Sequence, residues 1–462
     1  GVMGRNFALN LADKGFTVAG FNRDPVKIDK LETTRAERHA IHTTNDITTL
    51  CTLLRRPRAV MMLVPAGDPV DAVIGSLTPH LDEGDLIIDS GNSHFTDTDR
   101  RADQLAKKGL LFIGMGMSGG ASGARHGPSL MPGGPRRGYE RVERILRAAA
   151  AQASSGACVA YMGPGSAGHY VKMVHNGIEY GLMQLIAETY DLMKRGLGLA
   201  PDALQRVYER WRQGVLDSYL MEITADIFKL RDERTDGFLI DKILDQAKQK
   251  GTGQWSAAEA LRLQVPTLNI DAAVMLRHLS GDEARRRAVS QDADGPAAVD
   301  AGDAASFIDR LENALYLAAI VTYAQGMDLL GRASGEYDYA LDLETVARVW
   351  TGGCIIRARV LGEVQGAYHD TPELASLLVW PPFRRALQRH LGDLRRVVQD
   401  AAGAGIPAPG MALVLAYIDA YRGGWLPANL IMAQRDYFGS HTYQRVDDQG
   451  TFHTRWETRT RS

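Results

Sequence analysis

Gly168-His-Tyr-Val-Lys-Met-Val-His-Asn-Gly-Ile-Glu-Tyr-Gly181 is the stretch on which the reading of this chain turns. Lys172, His175, Asn176 and Glu179 stand at spacings i, i+3, i+4 and i+7. On an α-helix those spacings put all four on one face. Val171, Met173, Val174, Ile178, Leu182, Met183, Leu185 and Ile186 are apolar and occupy most other directions. A helix that is apolar nearly all round is a buried one. Polar groups on such a helix need partners or a ligand. Lys172 and Glu179 lie about 10 Å apart along the axis, at 1.5 Å per residue. That is too long for an ion pair between neighbours and suits the bracketing of a small polar substrate. The alternatives are a solvated helix face or a structural Lys–Glu network, and the apolar surround weighs against both.

Upstream of this helix, residues 1–165 alternate short apolar runs with helical patterns. The runs are Phe16–Phe21, Ala59–Val64, Leu86–Asp89 and Leu110–Gly116; between them lie Gly4–Lys14, Pro25–Glu32, Asp68–Leu77 and Asp97–Lys108. Strands alternating with helices predict a parallel sheet covered by helices. Residues 166–422 carry long 3.6-period segments, such as Leu204–Lys229 and Phe307–Leu330, and predict a large all-helical domain. Asp282–Ala305 reads as a surface loop or frayed helix. From residue 423 to 462 the pattern decays into a tail rich in aromatic and basic residues, either disordered or docked on something. The expected fold class is therefore α/β, then all-α, then an extended C-terminal tail.

Bulk numbers exclude several functions. With 53 basic and 55 acidic residues the net charge is -2, which offers no footprint for nucleic acid or a membrane surface. No run of 18 or more residues is wholly apolar, and no signal peptide is apparent. Cys51, Cys158 and Cys354 are too scattered for a disulfide framework or a zinc site, so a reducing, cytoplasmic setting is expected. No His/Cys/carboxylate cluster has metal-ligand spacing, and no metal is expected. The chain starts at Gly1 rather than Met, inside a motif, and reads as lacking a short N-terminal stretch.

That motif is Gly1-Val2-Met3-Gly4, which matches the second half of G-x-G-x-x-G, with the tight-turn glycine and its strand upstream. Gly1 would let backbone approach a pyrophosphate, and Gly4 would let the helix pack closely on the sheet. About 20 residues on, the next strand ends in Asn22-Arg23-Asp24, the place for ribose recognition in a Rossmann-type domain. Arg23 favours the 2′-phosphate of NADP, whereas the Asp24 carboxylate favours the free diol of NAD. Two further strand ends face the same crevice: Val64-Pro65-Ala66, and Asp89-Ser-Gly-Asn-Ser93, whose Asn92 would orient a nicotinamide or a substrate hydroxyl.

Three other segments set polar groups among glycines. Met117-Ser-Gly-Gly120 offers Ser118 with the amides of Gly119 and Gly120. Gln249-Lys-Gly-Thr-Gly-Gln-Trp255 offers Lys250 and Thr252 around an anion, without the P-loop pattern. Ala433-Gln-Arg-Asp-Tyr-Phe-Gly-Ser-His441 offers Arg435 and His441 in the tail. Arg277 sits in the apolar stretch Ala272–Leu279, where a buried guanidinium wants an anion.

Taken in order, Gly1-Val-Met-Gly4, Phe21-Asn-Arg23, Gly91-Asn-Ser93, Ser118-Gly-Gly120, the Lys172-to-Tyr180 helix, Lys250-Gly-Thr-Gly253, Arg277 and Arg435…His441 resemble the decarboxylating 6-phosphogluconate dehydrogenases along essentially the whole chain. The resemblance implies oxidation of 6-phosphogluconate to ribulose 5-phosphate and CO₂ with reduction of NADP, and a homodimer whose C-terminal tails reach into the opposite subunit to form a shared active site. It implies Lys172 as general base at the C3 hydroxyl and Glu179 as the acid that protonates C1. Asn176 and Ser118 would hold the carboxylate end, with His175 and Asn92 on the hydroxyls. Tyr180, Lys250, Thr252, Arg277 and Arg435 would take the phosphate, with His441 completing that end. The residue types suit these tasks: a lysine is a base only when neutral, which burial promotes, and a dry pocket keeps a glutamic acid protonated.

Four positions depart from the family pattern. Asp24 stands where a hydroxyl residue is common, Ala121 where an acid follows Ser-Gly-Gly, Lys248 where a small residue is usual, and Pro65 where some members carry lysine. Two rival readings share parts of the pattern: another β-hydroxyacid dehydrogenase, which needs no Lys250/Arg277/Arg435 cluster, and a catalytically silent protein that kept the fold.

Overall fold

The computed structural model describes residues 1–28, 41–291, 295–299 and 302–456, which fall into two compact units, Gly1–Leu413 and Val414–Ser462. The first unit opens with α1 (Val2–Asp13), β1 (Val18–Phe21), β2 (Ile41–Thr44), α2 (Ile47–Leu53), β3 (Ala59–Met62), α3 (Asp68–Leu77), β4 (Leu86–Asp89), α4 (Phe95–Ala106), β5 (Leu111–Ser118), α5 (Gly120–His126), β6 (Ser129–Gly133) and α6 (Arg136–Ala149). β1 and β2 pair in parallel; β3, β4 and β5 form a parallel run, and β6 closes it antiparallel to β5. This is the Rossmann-type architecture expected of the first part of the chain.

Every residue of β4 and β5 is buried, as a parallel strand covered on both faces must be. Alternation along the strands splits the core in two. Leu86, Ile88, Leu111, Ile113 and Met115 pack with Phe7 of α1 and Tyr139, Val142 and Leu146 of α6. Ile87 and Phe112 face the other way, onto Val70 and Leu77 of α3 and Leu105 of α4. The runs at Phe16–Phe21, Ala59–Val64, Leu86–Asp89 and Leu110–Gly116 thus each hold a strand. β2 and β6 had no apolar run to announce them: Ile41-His-Thr-Thr44 and Ser129-Leu-Met-Pro-Gly133 become strands through their neighbours. The helix expected over Pro25–Glu32 is described for its first residues only; 29–32 lie outside the described residues.

After a short antiparallel pair, β7 (Gln152–Ala153) with β8 (Gly156–Ala157), the regular elements of the first unit are helices: α7 (Ala167–Asp191), α8 (Pro201–Trp211), α9 (Tyr219–Ile227), α10 (Thr252–Arg262), α11 (Leu268–Gly281), α12 (Glu283–Ser290), α13 (Ala304–Glu336), α14 (Leu343–Trp350), α15 (Val360–Asp370) and α16 (Pro381–Gly403). The segment Leu204–Lys229, read as one periodic stretch, is two helices. α8 closes with tight bonds from Gln213 N to Arg210 O and Gly214 N to Trp211 O, and the Ser218 hydroxyl caps α9 by accepting from Met221 N at 3.2 Å. Asp282–Ala305, expected to be a loop or frayed helix, contains α12 and a buried Val299; residues 292–294 and 300–301 of it lie outside the described residues. α13 contains an 18-residue window apolar enough to cross a membrane, but 89% of that window is enclosed by the rest of the protein. It is a core helix.

α7 meets the sheet through glycines. A Cβ on Gly168 would lie 2.3 Å from the carbonyl oxygens of both Gly114 and Met131, and one on Gly116 would lie 2.3 Å from Lys172 Cβ. Only backbone on both sides permits this approach, which sets Lys172 directly against β5.

After α17 (Pro409–Arg422), the second unit holds α18 (Ala428–Gly439) and a short antiparallel contact between Tyr443 and Phe452. The expected decay of pattern in the tail is corrected here as far as Trp456. Asp436, fully buried on the inner side of α18, accepts from Thr442 N (3.0 Å), His453 Nδ1 (2.9 Å), Thr454 N (3.0 Å) and Trp456 Nε1 (2.9 Å). Those charge-assisted bonds hold its carboxyl far below the usual carboxylate range and give the segment a fold of its own.

Candidate active site

The face of α7 singled out above is buried, and its polar groups satisfy one another. Lys172 Nζ donates to Asn176 Oδ1 at 2.6 Å and lies 3.3 Å from His175 Nδ1. Asn176 Nδ2 donates to Thr252 Oγ1 at 2.9 Å. His175 Nε2 lies 3.2 Å from Ser118 Oγ, and the His175 ring meets Trp350 edge-on. Glu179, a turn further along, has its Oε2 3.8 Å from His175 Nδ1. Ser118 at the end of β5, Thr252 at the start of α10 and four residues of one helix are thereby joined. The reading as a solvated face fails, since Lys172 is only 6% exposed; Lys172 and Glu179 are linked only through His175, which stands between them.

Burial sets the charge states. It pushes the Lys172 ammonium below its ordinary range, with the Glu179 carboxylate pulling the other way. It raises the Glu179 carboxyl, against the attraction of Lys172 and Arg277. His175 is pushed well below its usual value by burial and then by Lys172, so it is neutral. An amine biased toward its free-base form and a carboxyl biased toward its acid form, about two helical turns apart, can serve as an acid–base pair.

The next turn of α7 begins the anion-facing end. Tyr180 is buried against Ala273 and Val274 of α11. Gly253 allows this: a Cβ there would fall 2.5 Å from the Tyr180 ring. Arg277 lies 3.7 Å above the same ring and donates to Lys248 O at 3.1 Å. It is half-exposed rather than buried, a correction to the expectation drawn from Ala272–Leu279; in that stretch of α11 only Ala273 and Val274 turn to the core, Met275 and Leu279 are exposed, and the guanidinium lies across the ring at the surface. Thr252 is buried, and Lys250 two residues before it is exposed with its ammonium in water. Gly119 and Gly120 open α5 beside Ser118, with positive φ at both.

β1 pairs in parallel with β2, and β3 in parallel with β4, so the loops after β3 and β4 leave the same edge of their sheet. Asn22 Oδ1 accepts from Asp24 N at 3.0 Å, and Arg23 is exposed. The Asp24 carboxylate accepts from Val26 N at 3.1 Å and pairs with Lys27 at 3.1 Å. It is therefore partly neutralised rather than bare. Val64 is half-buried, and Pro65, Ala66 and Asn92 are exposed on the loops that follow β3 and β4. Gly1, Val2, Met3 and Gly4 start α1, whose first turn carries no acidic residue and no side-chain cap, so its amides point free. A Cβ on Gly4 would meet Leu63 at 3.6 Å, an ordinary contact, so close packing there does not itself demand glycine. An uncapped helix N-terminus, an exposed arginine and open loops after parallel strands are features that suit a dinucleotide phosphate.

Arg435 and His441 belong to the second unit, where both are exposed. Arg435 Nη1 reaches Met432 Sδ at 3.8 Å, and the His441 ring lies edge-on to Phe438.

The structure adds residues that the sequence reading passed over. Ile355 N donates to Ser118 Oγ at 3.4 Å, and the buried Cys354 thiol bonds the Trp350 carbonyl at 3.1 Å beside Lys172. The adjacent glycines of Gly352-Gly353-Cys354 were the available signal. Behind the β4 loop, His169 Nδ1 lies 2.7 Å from Thr98 Oγ1, and Arg101 is buried among carboxylates.

Comparison with known proteins agrees with this geometry. Residues 1–163 match the family described as the NAD binding domain of 6-phosphogluconate dehydrogenase, and residues 168–456 match the 6-phosphogluconate dehydrogenase C-terminal domain. The decarboxylating 6-phosphogluconate dehydrogenase of Synechococcus elongatus is 50% identical over 458 residues, covering 98% of this chain and 97% of that one. The enzyme of the same name from Escherichia coli is 47% identical over 459 residues, covering 98% and 97%. Among solved structures, Plasmodium falciparum 6-phosphogluconate dehydrogenase, determined apo, with NADP⁺ and with 6-phosphogluconate, superposes with a TM-score of 0.95 at 40% identity, covering 99% of this chain and 98% of that one.

Proposed function

The chain belongs to the 6-phosphogluconate dehydrogenase family, and from that premise we propose how its own residues divide the work. The reaction is the oxidative decarboxylation of 6-phosphogluconate to ribulose 5-phosphate and CO₂, with NADP as coenzyme. The coenzyme supplies the hydride acceptor. Neutral Lys172 takes the C3 hydroxyl proton as hydride leaves C3. The ammonium so formed donates to the new C3 oxygen, and that carbonyl, β to the carboxylate, receives the electron pair released as CO₂ departs. Glu179 then delivers its proton to C1 of the enediol. Ser118, with the amides of Gly119 and Gly120, and Asn176 orient the carboxylate; His175 and Asn92 hold the hydroxyls.

Tyr180, Lys250, Thr252 and Arg277 take the phosphate, joined in a homodimer by Arg435 of the partner subunit and His441 of the partner subunit. A phosphate dianion is better held by a cluster of cations than by one. At the coenzyme edge, Gly1 to Gly4 face the pyrophosphate, Asn22 and Arg23 the ribose end, and Val64, Pro65, Ala66 and Asn92 the remainder. Asp24 is compatible with NADP because Lys27 and a backbone amide share its charge. We place the nucleotide domain at residues 1–165, the helical domain at 166–422 and the partner-reaching tail at 423–462. A cytoplasmic setting is supported by three free, buried thiols.

The observation that carries these assignments is the buried run Ser118–His175–Lys172–Asn176–Thr252, with Glu179 at its edge. The test is a steady-state assay for NADP reduction and CO₂ release with 6-phosphogluconate. Turnover of short unphosphorylated hydroxy acids, with none of 6-phosphogluconate, would overturn the reading.

A further inference from the structure

The guanidinium of Arg101, on α4, is 1% exposed and lies between the loops that follow β3 and β4. Its Nε and Nη2 grip the Asp71 carboxylate side-on, at 2.9 and 2.7 Å. Nη2 also donates to the carbonyl of Gly67 at 3.1 Å, in the loop that carries Val64, Pro65 and Ala66. Nη1 donates to Ser93 Oγ at 3.4 Å and lies 3.9 Å from Asp89 Oδ2, in the loop that carries Asn92. Asp89, wholly buried, in turn accepts from Ser93 Oγ at 2.5 Å and from Gly91 N at 3.0 Å. The two loops touch: a Cβ on Gly91 would stand 3.0 Å from the Val64 carbonyl. One planar, always-charged group thus ties together two strand-end loops and the first turn of α3.

A lysine has neither the fork for Asp71 nor the reach to both loops at once. A buried cation set between two buried or half-buried carboxylates is retained only where its geometry is well satisfied, and here each side of the guanidinium has an acceptor. None of these contacts belongs to the catalytic face of α7.

We propose that Arg101 is a positioning residue for coenzyme binding, holding the Val64–Gly67 and Asp89–Ser93 loops in the shape that receives NADP. This rests on the functional reading above. Arg101 touches neither coenzyme nor substrate; it acts through the loops. Its loss frees both loops, Asn92 included, while leaving Lys172, Glu179 and the phosphate end in place, so NADP loses contacts from two loops and 6-phosphogluconate only that of Asn92.

The test measures binding separately from turnover. NADP affinity is read by titration calorimetry, and 6-phosphogluconate affinity is read the same way without coenzyme, for the parent, Arg101→Met, Arg101→Lys and Asp71→Asn. Displacing a contact loop by about 1 Å is enough for losses on the order of 10- to 100-fold. Arg101→Met is expected to weaken NADP by that amount and 6-phosphogluconate far less, with Arg101→Lys restoring little. Asp71→Asn keeps an acceptor on one side and is expected to show a smaller loss in the same direction. If Arg101→Met does not fold, Asp71→Asn and Arg101→Lys decide by the same split. Unchanged NADP affinity in folded variants, or equal weakening of both ligands, overturns the proposal. A parent that binds neither ligand would instead overturn the family-based roles on which it rests.

Discussion

Lys172 and Glu179 are both pushed toward their uncharged forms within one enclosed face, by pKa shifts of opposite direction and one cause: water is excluded. Lys172→Ala is expected to lower kcat by roughly 10²- to 10⁴-fold, the usual worth of a positioned base, while 6-phosphogluconate affinity stays within a few-fold. Comparable NADP reduction rates in mutant and parent would remove the base assignment. Because burial lowers the lysine's pKa, the parent's kcat should rise with pH as the amine loses its proton, and that limb should vanish in the variant. At the other end of the chain, Asp24 shares its charge with Lys27. Asp24→Thr frees that lysine, and the NADP/NAD preference should rise by roughly 1.5- to 5-fold, the scale of an exposed charge contact. An unchanged ratio from paired kinetics would refute the role. These residues were legible from type and spacing. Arg277 was not: its neighbours are apolar, yet its side chain leaves the core across Tyr180, because a helix face is assigned by what packs against it.

α7 shows how one element serves chemistry and stability together. Near its C-terminal end Glu188, only 2% exposed, accepts from the amides of Gly410 at 2.7 Å and Met411 at 2.9 Å, and Gln184 donates to it at 2.9 Å. Burial nonetheless dominates and pushes its carboxyl up to about 7. A raised pKa means the native state holds a proton that the unfolded chain has released. The stability tied to that proton is full below the ordinary glutamate range, near 4.5, and is lost as pH rises through about 7. Chemical denaturation between about pH 5 and about pH 8 should therefore show the parent losing ground to Glu188→Gln, by at most about 1.4 kcal/mol per pH unit. Parallel curves for the two proteins would show that the amides, not burial, set the group. α7 was readable as a buried helix because its apolar residues run all round. The break between α8 and α9 was not, because it is made by local caps inside a periodic stretch, at Gly214 and Ser218. β2 and β6 were missed because only pairing with an existing strand makes them extended.

At the scale of the molecule, the expected homodimer makes a prediction that no monomer can satisfy. If each pocket takes Lys172 from one chain and Arg435 from the other, Lys172→Ala and Arg435→Ala homodimers are each impaired. In the mixed dimer one pocket keeps both residues. Unfolding and refolding an equal mixture should restore about a quarter of the parent's sites at low substrate, since half the dimers are mixed and half their pockets are whole. No gain over the separate mutants would place Arg435 outside the partner's pocket. The tail's compact fold around Asp436 was invisible beforehand, since a lone aspartate gives no pattern until Thr442, His453, Thr454 and Trp456 converge on it. From the order of residues alone came the sheet-then-helices architecture, the buried helix with its polar face and the candidate coenzyme motifs, because periodicity and side-chain type act over a few neighbouring positions. Only the tertiary structure decided that Ser118, Thr252 and Ile355 close around Lys172, that Arg101 joins two distant loops, and which groups lose water. Desolvation and hydrogen bonding there depend on segments far apart along the chain, whose meeting no local pattern encodes.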